Sequence, residues 1–143
     1  MNYKWIREKP RLAYALSYVV IQSTLLCNID LNITWQYIWS KPDQERISDN
    51  LLKELSSGGI SKMRPFGHSL QYSLQNARID SDIALWIEED YCSPPLAMER
   101  EAVLDRYFDN ITVEKIRSEK EGWNMIGSKP QLWHESEFTN LLI

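Results

Sequence analysis

One helix with both ends marked in the sequence constrains the fold most. Its start is marked by Ser40-Lys41-Pro42-Asp43, where Ser40 can cap the first backbone N–H groups and Pro42 suits the first turn. The stretch that follows, to about Ser56, carries a polar side and an apolar side, the latter made of Ile47, Leu51, Leu52 and Leu55. Gly58-Gly59 then ends it. We predict an amphipathic helix over this segment.

An uncharged run from Leu12 to Ile29 precedes that helix and follows four basic residues, Lys4, Arg7, Lys9 and Arg11. This is the layout of a signal peptide or membrane anchor. Seven polar side chains interrupt the run, and no small-residue cleavage site follows it. We therefore favour a buried helix from Leu12 to about Asn28 and keep a targeting segment as the alternative. Trp35, Ile38 and Trp39 lie at helical spacing in Ile33 to Trp39, which predicts a second helical stretch packed against the first.

The second half of the chain shows shorter, strand-like patterns. A short helix is predicted from Ser69 to Arg78, and the compact apolar run Ile83 to Ile87 predicts a strand. Ser93-Pro94-Pro95 predicts the start of a helix running from Leu96 to Phe108, with Ser93 as its cap. Ile111 to Ile116 and Trp123 to Ile126 then predict the two strands of a hairpin. The expected fold class is α+β: N-terminal helices packed with a small antiparallel sheet in the C-terminal half.

Length and cysteine usage set the expected class and compartment. A chain of 143 residues is the size of a single domain and can bury a core without disulfides or metals. Cys27 and Cys92 are its only cysteines, and they lack the spacing of a zinc or redox motif. We predict two free thiols in a reducing, cytoplasmic location, with one disulfide as the alternative. His68 and His134 share no ligand spacing, so we expect no metal and no cofactor.

The negative charge of the chain is local. The net charge is −4, yet residues 1–81 carry ten Lys/Arg and seven Asp/Glu, a net of +3. Residues 82–121 carry five and eleven, a net of −6, and the last 22 residues carry one and two, a net of −1. A one-signed field attracts partners of opposite charge and argues against nucleic acid as a direct ligand there. We expect no membrane partner, and the sequence leaves the oligomeric state open.

Two acidic groups stand out within that region. Glu88-Glu89-Asp90 forms the first, in which only Glu88 and Asp90 would share one side of a strand. The second follows the predicted helix at every fourth position and consists of Glu101, Asp105 and Asp109. One interpretation is a solvated surface that keeps the protein soluble. The other, which we adopt as the prediction, is that these six residues bind a partner with a basic surface.

No GxSxG, Walker A or GxGxxG motif is present, and we assign no catalytic residue. A small, acidic, Trp-rich domain of this kind is typical of a non-catalytic binding or inhibitory protein. We expect a bacterial immunity protein, antitoxin-like, that neutralises a basic toxin or nuclease domain. One alternative is a small hydrolase or transferase that uses Cys92, or a Glu88 or Asp90 carboxylate, with a histidine. Another is a structural subunit of a homo-oligomer whose exposed aromatics mediate self-association.

Overall fold

The computed structural model describes residues 26–27 and 33–133. The strands are β1 (Leu26–Cys27), β2 (Thr34–Pro42), β3 (Arg78–Asp80), β4 (Ile83–Asp90), β5 (Cys92–Ser93) and β6 (Phe108–Ile116). The helices are α1 (Gln44–Arg46), α2 (Leu52–Ser57), α3 (Gly67–Gln75), α4 (Ala97–Ala102) and α5 (Glu119–Ile126). A π-helical turn, Ile47–Leu51, joins α1 to α2, and a 3-10 turn, Leu104–Arg106, follows α4.

Four strands form one antiparallel sheet in the order β3-β4-β2-β6, and β1 pairs with β5 in a separate two-stranded sheet. The register places Tyr37 of β2 between Ile87 of β4 and Glu114 of β6. The mixed α+β class and the antiparallel pairing are confirmed. The expectation that the sheet lies in the C-terminal half is wrong, because β2, which precedes α1, pairs on both sides and lies inside the sheet.

Both faces of the sheet are used. The inner face carries Ile38, Ala84 and Trp86, which are fully buried in the main core with apolar residues of the π turn, α2 and α3, namely Leu51, Leu55, Leu70 and Leu74. The outer face carries Trp35, Tyr37, Trp39, Leu85 and Ile87, which pack in a second cluster with Trp123 and Ile126 of α5. The sheet is therefore a middle layer between α5 and the other helices.

Helix α5 lies directly against the outer face at Gly122. A Cβ added there would come within 2.5 Å of Ile116 Cδ1 and 2.6 Å of Ile87 Cδ1. Beyond α5 the chain returns to β3, where the Ile79 N–H donates to the Pro130 carbonyl (2.8 Å) and the Leu132 N–H donates to the Ala77 carbonyl (2.8 Å). The segment after α5 is thus bonded to the edge of the sheet.

The helix predicted between Ser40 and Gly58 forms as α1, the π-helical turn and α2, but its N-cap is Asp43 rather than Ser40. Asp43 Oδ1 accepts from the Arg46 N–H at 3.3 Å. Ser40 is still in β2, where its hydroxyl donates to the Asp109 carbonyl across the sheet. The predicted end is confirmed, since Gly58 caps α2 with a φ of 77°, a conformation that costs glycine little.

Two predictions of element type are wrong. The segment predicted as helical, Ile33 to Trp39, contributes most of strand β2, and its inward side chains alternate with outward ones along the strand. Trp123 to Ile126, predicted as a strand, lies in α5, because Ser118 caps a helix by accepting from the Glu121 N–H at 3.1 Å. The predicted strands at Ile83 to Ile87 and Ile111 to Ile116 are confirmed within β4 and β6.

Three helix boundaries differ from prediction. The helix expected from Leu96 to Phe108 ends at Ala102, since Val103 leaves the helical region with a φ of −136°, and Ser93 does not cap it. The helix expected from Ser69 to Arg78 is α3, two residues earlier at its start and three shorter at its end. The helix predicted from Leu12 to Asn28 lies outside the described residues except for Leu26 and Cys27, which are in a strand.

Candidate functional site

The inner face of β4 ends in buried acidic side chains. Glu88 and Asp90 are 0% and 2% exposed, and Glu89 lies on the other side of the strand and is half-buried. The prediction that Glu88 and Asp90 share one side is confirmed. Their burial removes both carboxylates from the protein surface, however, so they are not placed to meet a partner directly.

Asp90 holds the turn that follows β4. Its Oδ1 accepts from the backbone N–H groups of Cys92 (3.1 Å) and Leu96 (2.9 Å), and its Oδ2 accepts from Gln36 Nε2 at 3.4 Å. A carboxylate that accepts several bonds in this way compensates for its loss of water. Asp90 therefore fixes the path of the chain from β4 through β5 to α4.

Glu88 and Glu99, together with Tyr91, form what we call the buried acid cluster. Glu88 Oε1 accepts from Ser69 Oγ of α3 at 2.9 Å. Within residues 33–133 no hydrogen-bond partner is present for Glu99 Oε2 or the Tyr91 hydroxyl. Burial raises the pKa of Glu88 well above its ordinary value, repulsion from Glu99 adds to this, and burial raises the pKa of Glu99 to about 7. These carboxyls hold protons more firmly than exposed ones do.

The remaining predicted partner-binding residues do not form a stripe. Glu101 is on α4, Asp105 is in the 3-10 turn and Asp109 is on β6, because the helix that would align them ends at Ala102. Glu101 and Asp105 are half-buried, and Asp105 Oδ1 lies 3.1 Å from Arg100 Nε. Asp109 is exposed. Partner binding by these residues stays a prediction.

The prediction of two free thiols is wrong. Cys92 is disulfide-bonded, no described cysteine is a free thiol, and β1 places the backbone of Cys27 directly opposite Cys92. A sulfur in a disulfide is not the thiolate that a nucleophilic mechanism needs. His68 is exposed on α3, and His134 lies outside the described residues. No group of three potential metal ligands occurs within residues 26–27 and 33–133.

A second site, which was not predicted from the sequence, lies on the outer face of the sheet. It is a cleft of about 380 Å³, which we call the aromatic cleft, lined by Tyr37, Trp39, Asp80, Ser81, Ile83 and Leu85. The Tyr37 and Trp39 ring centroids are 5.1 Å apart, with 32° between the ring planes. Tyr37 and Trp39 share this face because they are two residues apart on a strand.

The charges of two carboxylates from different strands act on the Tyr37 hydroxyl. Burial raises the pKa of Tyr37, and the charges of Asp80 on β3 and Glu114 on β6 raise it further, whereas Lys129 lowers it. Lys129 Nζ lies 3.1 Å from Asp80 Oδ2. The cleft thus combines an aromatic wall with the Asp80 carboxylate, and Lys129 and Arg78 add positive charge at the same edge of the sheet.

A β-periodic signal at the aromatic cleft was present in the sequence. Trp35, Tyr37 and Trp39 alternate with Gln36, Ile38 and Ser40, which is the period of a strand with aromatics on one face. Trp35, Ile38 and Trp39 also match helical spacing, and for that reason the segment was predicted to be helical rather than a strand. No sequence signal brings Asp80 and Glu114 to Tyr37, since only the pairing of β3 and β6 into the sheet does so.

No family model, no curated protein and no solved structure matches this chain. In the part of the chain that the structure describes, no helix is long and apolar enough to cross a membrane.

Proposed function

We propose that this chain is a non-catalytic binding protein that covers a basic surface of another protein with the part of the sheet's outer face that carries the aromatic cleft. The observation that carries the proposal is the Tyr37 and Trp39 ring pair, which shares a cleft with Asp80 and on which the charges of Asp80 and Glu114 act. Large aromatic side chains in pockets are the usual anchors of protein interfaces. Carboxylates around such an anchor select basic partners and speed their association.

An immunity or antitoxin-like role follows from the same features. A toxin or nuclease domain that acts on nucleic acid presents a basic surface, and an acidic protein with an aromatic anchor can cover it. The region of residues 82–121, with a net charge of −6, contributes Asp82, Asp109 and Glu114 as exposed carboxylates. We therefore propose a bacterial immunity role in which the partner binds at the aromatic cleft rather than at the predicted stripe of Glu101, Asp105 and Asp109.

The cytoplasmic location stays a prediction, and the disulfide at Cys92 argues against it. Disulfides persist mainly in oxidising compartments. We propose that the chain works in such a compartment. Alkylation of thiols in intact cells, followed by mass measurement, tests this: a Cys92 that reacts without prior reduction would restore the cytoplasmic prediction.

The partner test uses the full chain as bait under matched conditions. Wild type, Trp39→Ala, Glu114→Lys and the distant control Asp49→Lys are immobilised and exposed to extract from the source cells at low and high salt. We expect a basic protein to be retained by wild type and Asp49→Lys, to be lost with Trp39→Ala, and to be weakened by Glu114→Lys and by salt.

Three results would overturn the proposal. Retention of the same protein by Trp39→Ala would remove the anchor, and an acidic protein as the retained species would contradict the charge argument. If instead wild type retained only a second copy of itself, the homo-oligomer alternative would replace the proposal. Circular dichroism of each variant checks that a loss of retention is not a loss of fold.

A further inference from the structure

We infer that the aromatic cleft binds a single guanidinium group, such as an arginine side chain of the partner, between the Tyr37 and Trp39 rings and the Asp80 carboxylate. The inference rests on the proposed function and assigns a ligand chemistry to its anchor. The volume of about 380 Å³ is near the small end of ligand pockets, which run from about 300 to 1,000 Å³. The cleft therefore suits one side chain rather than a large ligand.

The lining matches the parts of an arginine side chain. Ile83, which is half-buried, provides apolar surface against which a methylene stem can lie, while the charged head stays near water. The Tyr37 and Trp39 rings offer faces on which a planar guanidinium stacks, with cation–π attraction of about 0.5–1 kcal/mol at exposed sites. Asp80 offers two oxygens for the paired N–H bonds that guanidinium makes and ammonium cannot.

A cation already lies beside this wall. Lys129 Nζ contacts Asp80 Oδ2 at 3.1 Å, and its charge lowers the pKa of Tyr37 against the dominant effect of burial. The Lys129 and Asp80 side chains are 41% and 52% exposed. Exposed pairs of this kind contribute little, so an incoming guanidinium can replace the ammonium at Asp80. Lys129 is thus a competitor built into the site.

The local charge favours a cation over other ligands. Asp80 and Glu114 supply two negative charges near Tyr37, while Lys129 and Arg78, which pairs with the lining residue Leu85 and donates to the Lys129 carbonyl at 3.0 Å, supply positive charge at the same edge of the sheet. Asp80 is the charged residue that lines the cleft, so an anionic ligand would be repelled by its carboxylate, and a neutral one would leave it without a new partner. A guanidinium group uses both the aromatic faces and the carboxylate.

The test follows the Trp39 indole N–H by NMR while N-acetyl-arginine-N-methylamide is added to the labelled full chain. Its neutral isostere, the citrulline analogue, and the lysine analogue are added in parallel. We expect a saturable shift with the arginine compound, at least threefold weaker binding of the lysine compound, and none of the citrulline compound. Asp80→Asn should weaken arginine binding at least threefold, and Asp49→Asn should leave it unchanged.

Lys129→Met gives the sharpest prediction, because a merely structural Lys129 would not yield it. Removal of the competing ammonium should tighten arginine binding at least twofold. Weaker binding in Lys129→Met, equal binding of citrulline, or tighter binding of lysine would each overturn the inference. A silent arginine titration together with Trp39-dependent capture of a basic partner would remove the guanidinium inference alone and leave the proposed function standing.

Discussion

Glu99 is a buried carboxyl whose protonation state changes the free energy of unfolding. Burial raises its pKa to about 7, and the neighbouring Asp90 and Glu89 charges act in the same direction. The ordinary value is 4.5, so the unfolded chain releases this proton at a lower pH than the folded chain does. The folded state is therefore disfavoured progressively as the pH rises from about 4.5 to about 7.

We expect Glu99→Gln to remove this pH dependence. The amide keeps the shape but carries no charge, so the free energy of unfolding at pH 8 should rise by on the order of 3 kcal/mol relative to wild type. At pH 4.5 the two proteins should differ little. Urea unfolding at both pH values measures this, with Asp49→Asn as an exposed control, and an equal pH dependence in Glu99→Gln and wild type would contradict it.

Some elements could be predicted from the sequence because their signals are local, and others could not. The end of α2 at Gly58 and strand β4 carry local signals, a glycine pair and a compact apolar run, and both were predicted. A segment whose apolar side chains contact two layers of the fold does not show a clear helical or strand periodicity. β2 carries Ile38 on its inner face and three aromatics on its outer face, so its apolar residues also fit a helical spacing, and α5 contains Gly122, which weakens its helical pattern.

The candidate sites, too, could be predicted only as far as local patterns allow. The sequence placed Glu88 and Asp90 on one side correctly, because strand alternation is local. It did not reveal that this side faces the core, nor did it place Glu99 near Glu88, since α4 reaches that position through tertiary packing. The aromatic cleft depends on the order of strands in the sheet, which no local pattern encodes.

We expect Gly122→Ala to destabilise the protein although alanine is the better helix former. The added Cβ would enter the space of Ile87 and Ile116, and Ile87 is fully buried with little room to move. Overpacking costs about 1–3 kcal/mol, which exceeds the gain of about 1 kcal/mol in helix propensity. Thermal unfolding of Gly122→Ala beside the exposed control Asn124→Ala tests this, and an increase in Tm for Gly122→Ala would show that α5 is packed less tightly.

At the scale of the molecule, a disulfide and a four-stranded sheet act on different parts of the chain. The disulfide at Cys92 lies in β5, which pairs with β1 and not with the main sheet. Cys92 itself belongs to the main core, but most of that core comes from the sheet and its helices. Loss of the disulfide should therefore lower stability without removing the fold.

We expect reduction to lower the free energy of unfolding by about 2–4 kcal/mol, because a closed loop restricts the unfolded chain. The Cys92→Ser variant should lose at least this much, because its hydroxyl replaces a buried sulfur in the main core, and should then respond no further to reductant. Guanidinium unfolding with and without reductant measures both. Equal midpoints for oxidised and reduced wild type would show that the disulfide does not constrain the unfolded chain.

The attachment of the chain after α5 to the edge of β3 has a kinetic consequence. Pro130 and Leu132 are bonded to the backbone of Ile79 and Ala77, so the main chain at Lys129 is held in place. Only the Lys129 side chain then has to rotate away from Asp80. Side-chain rotation of exposed residues takes picoseconds to nanoseconds. Entry into the aromatic cleft should therefore proceed at the rate of encounter, without a slow opening step.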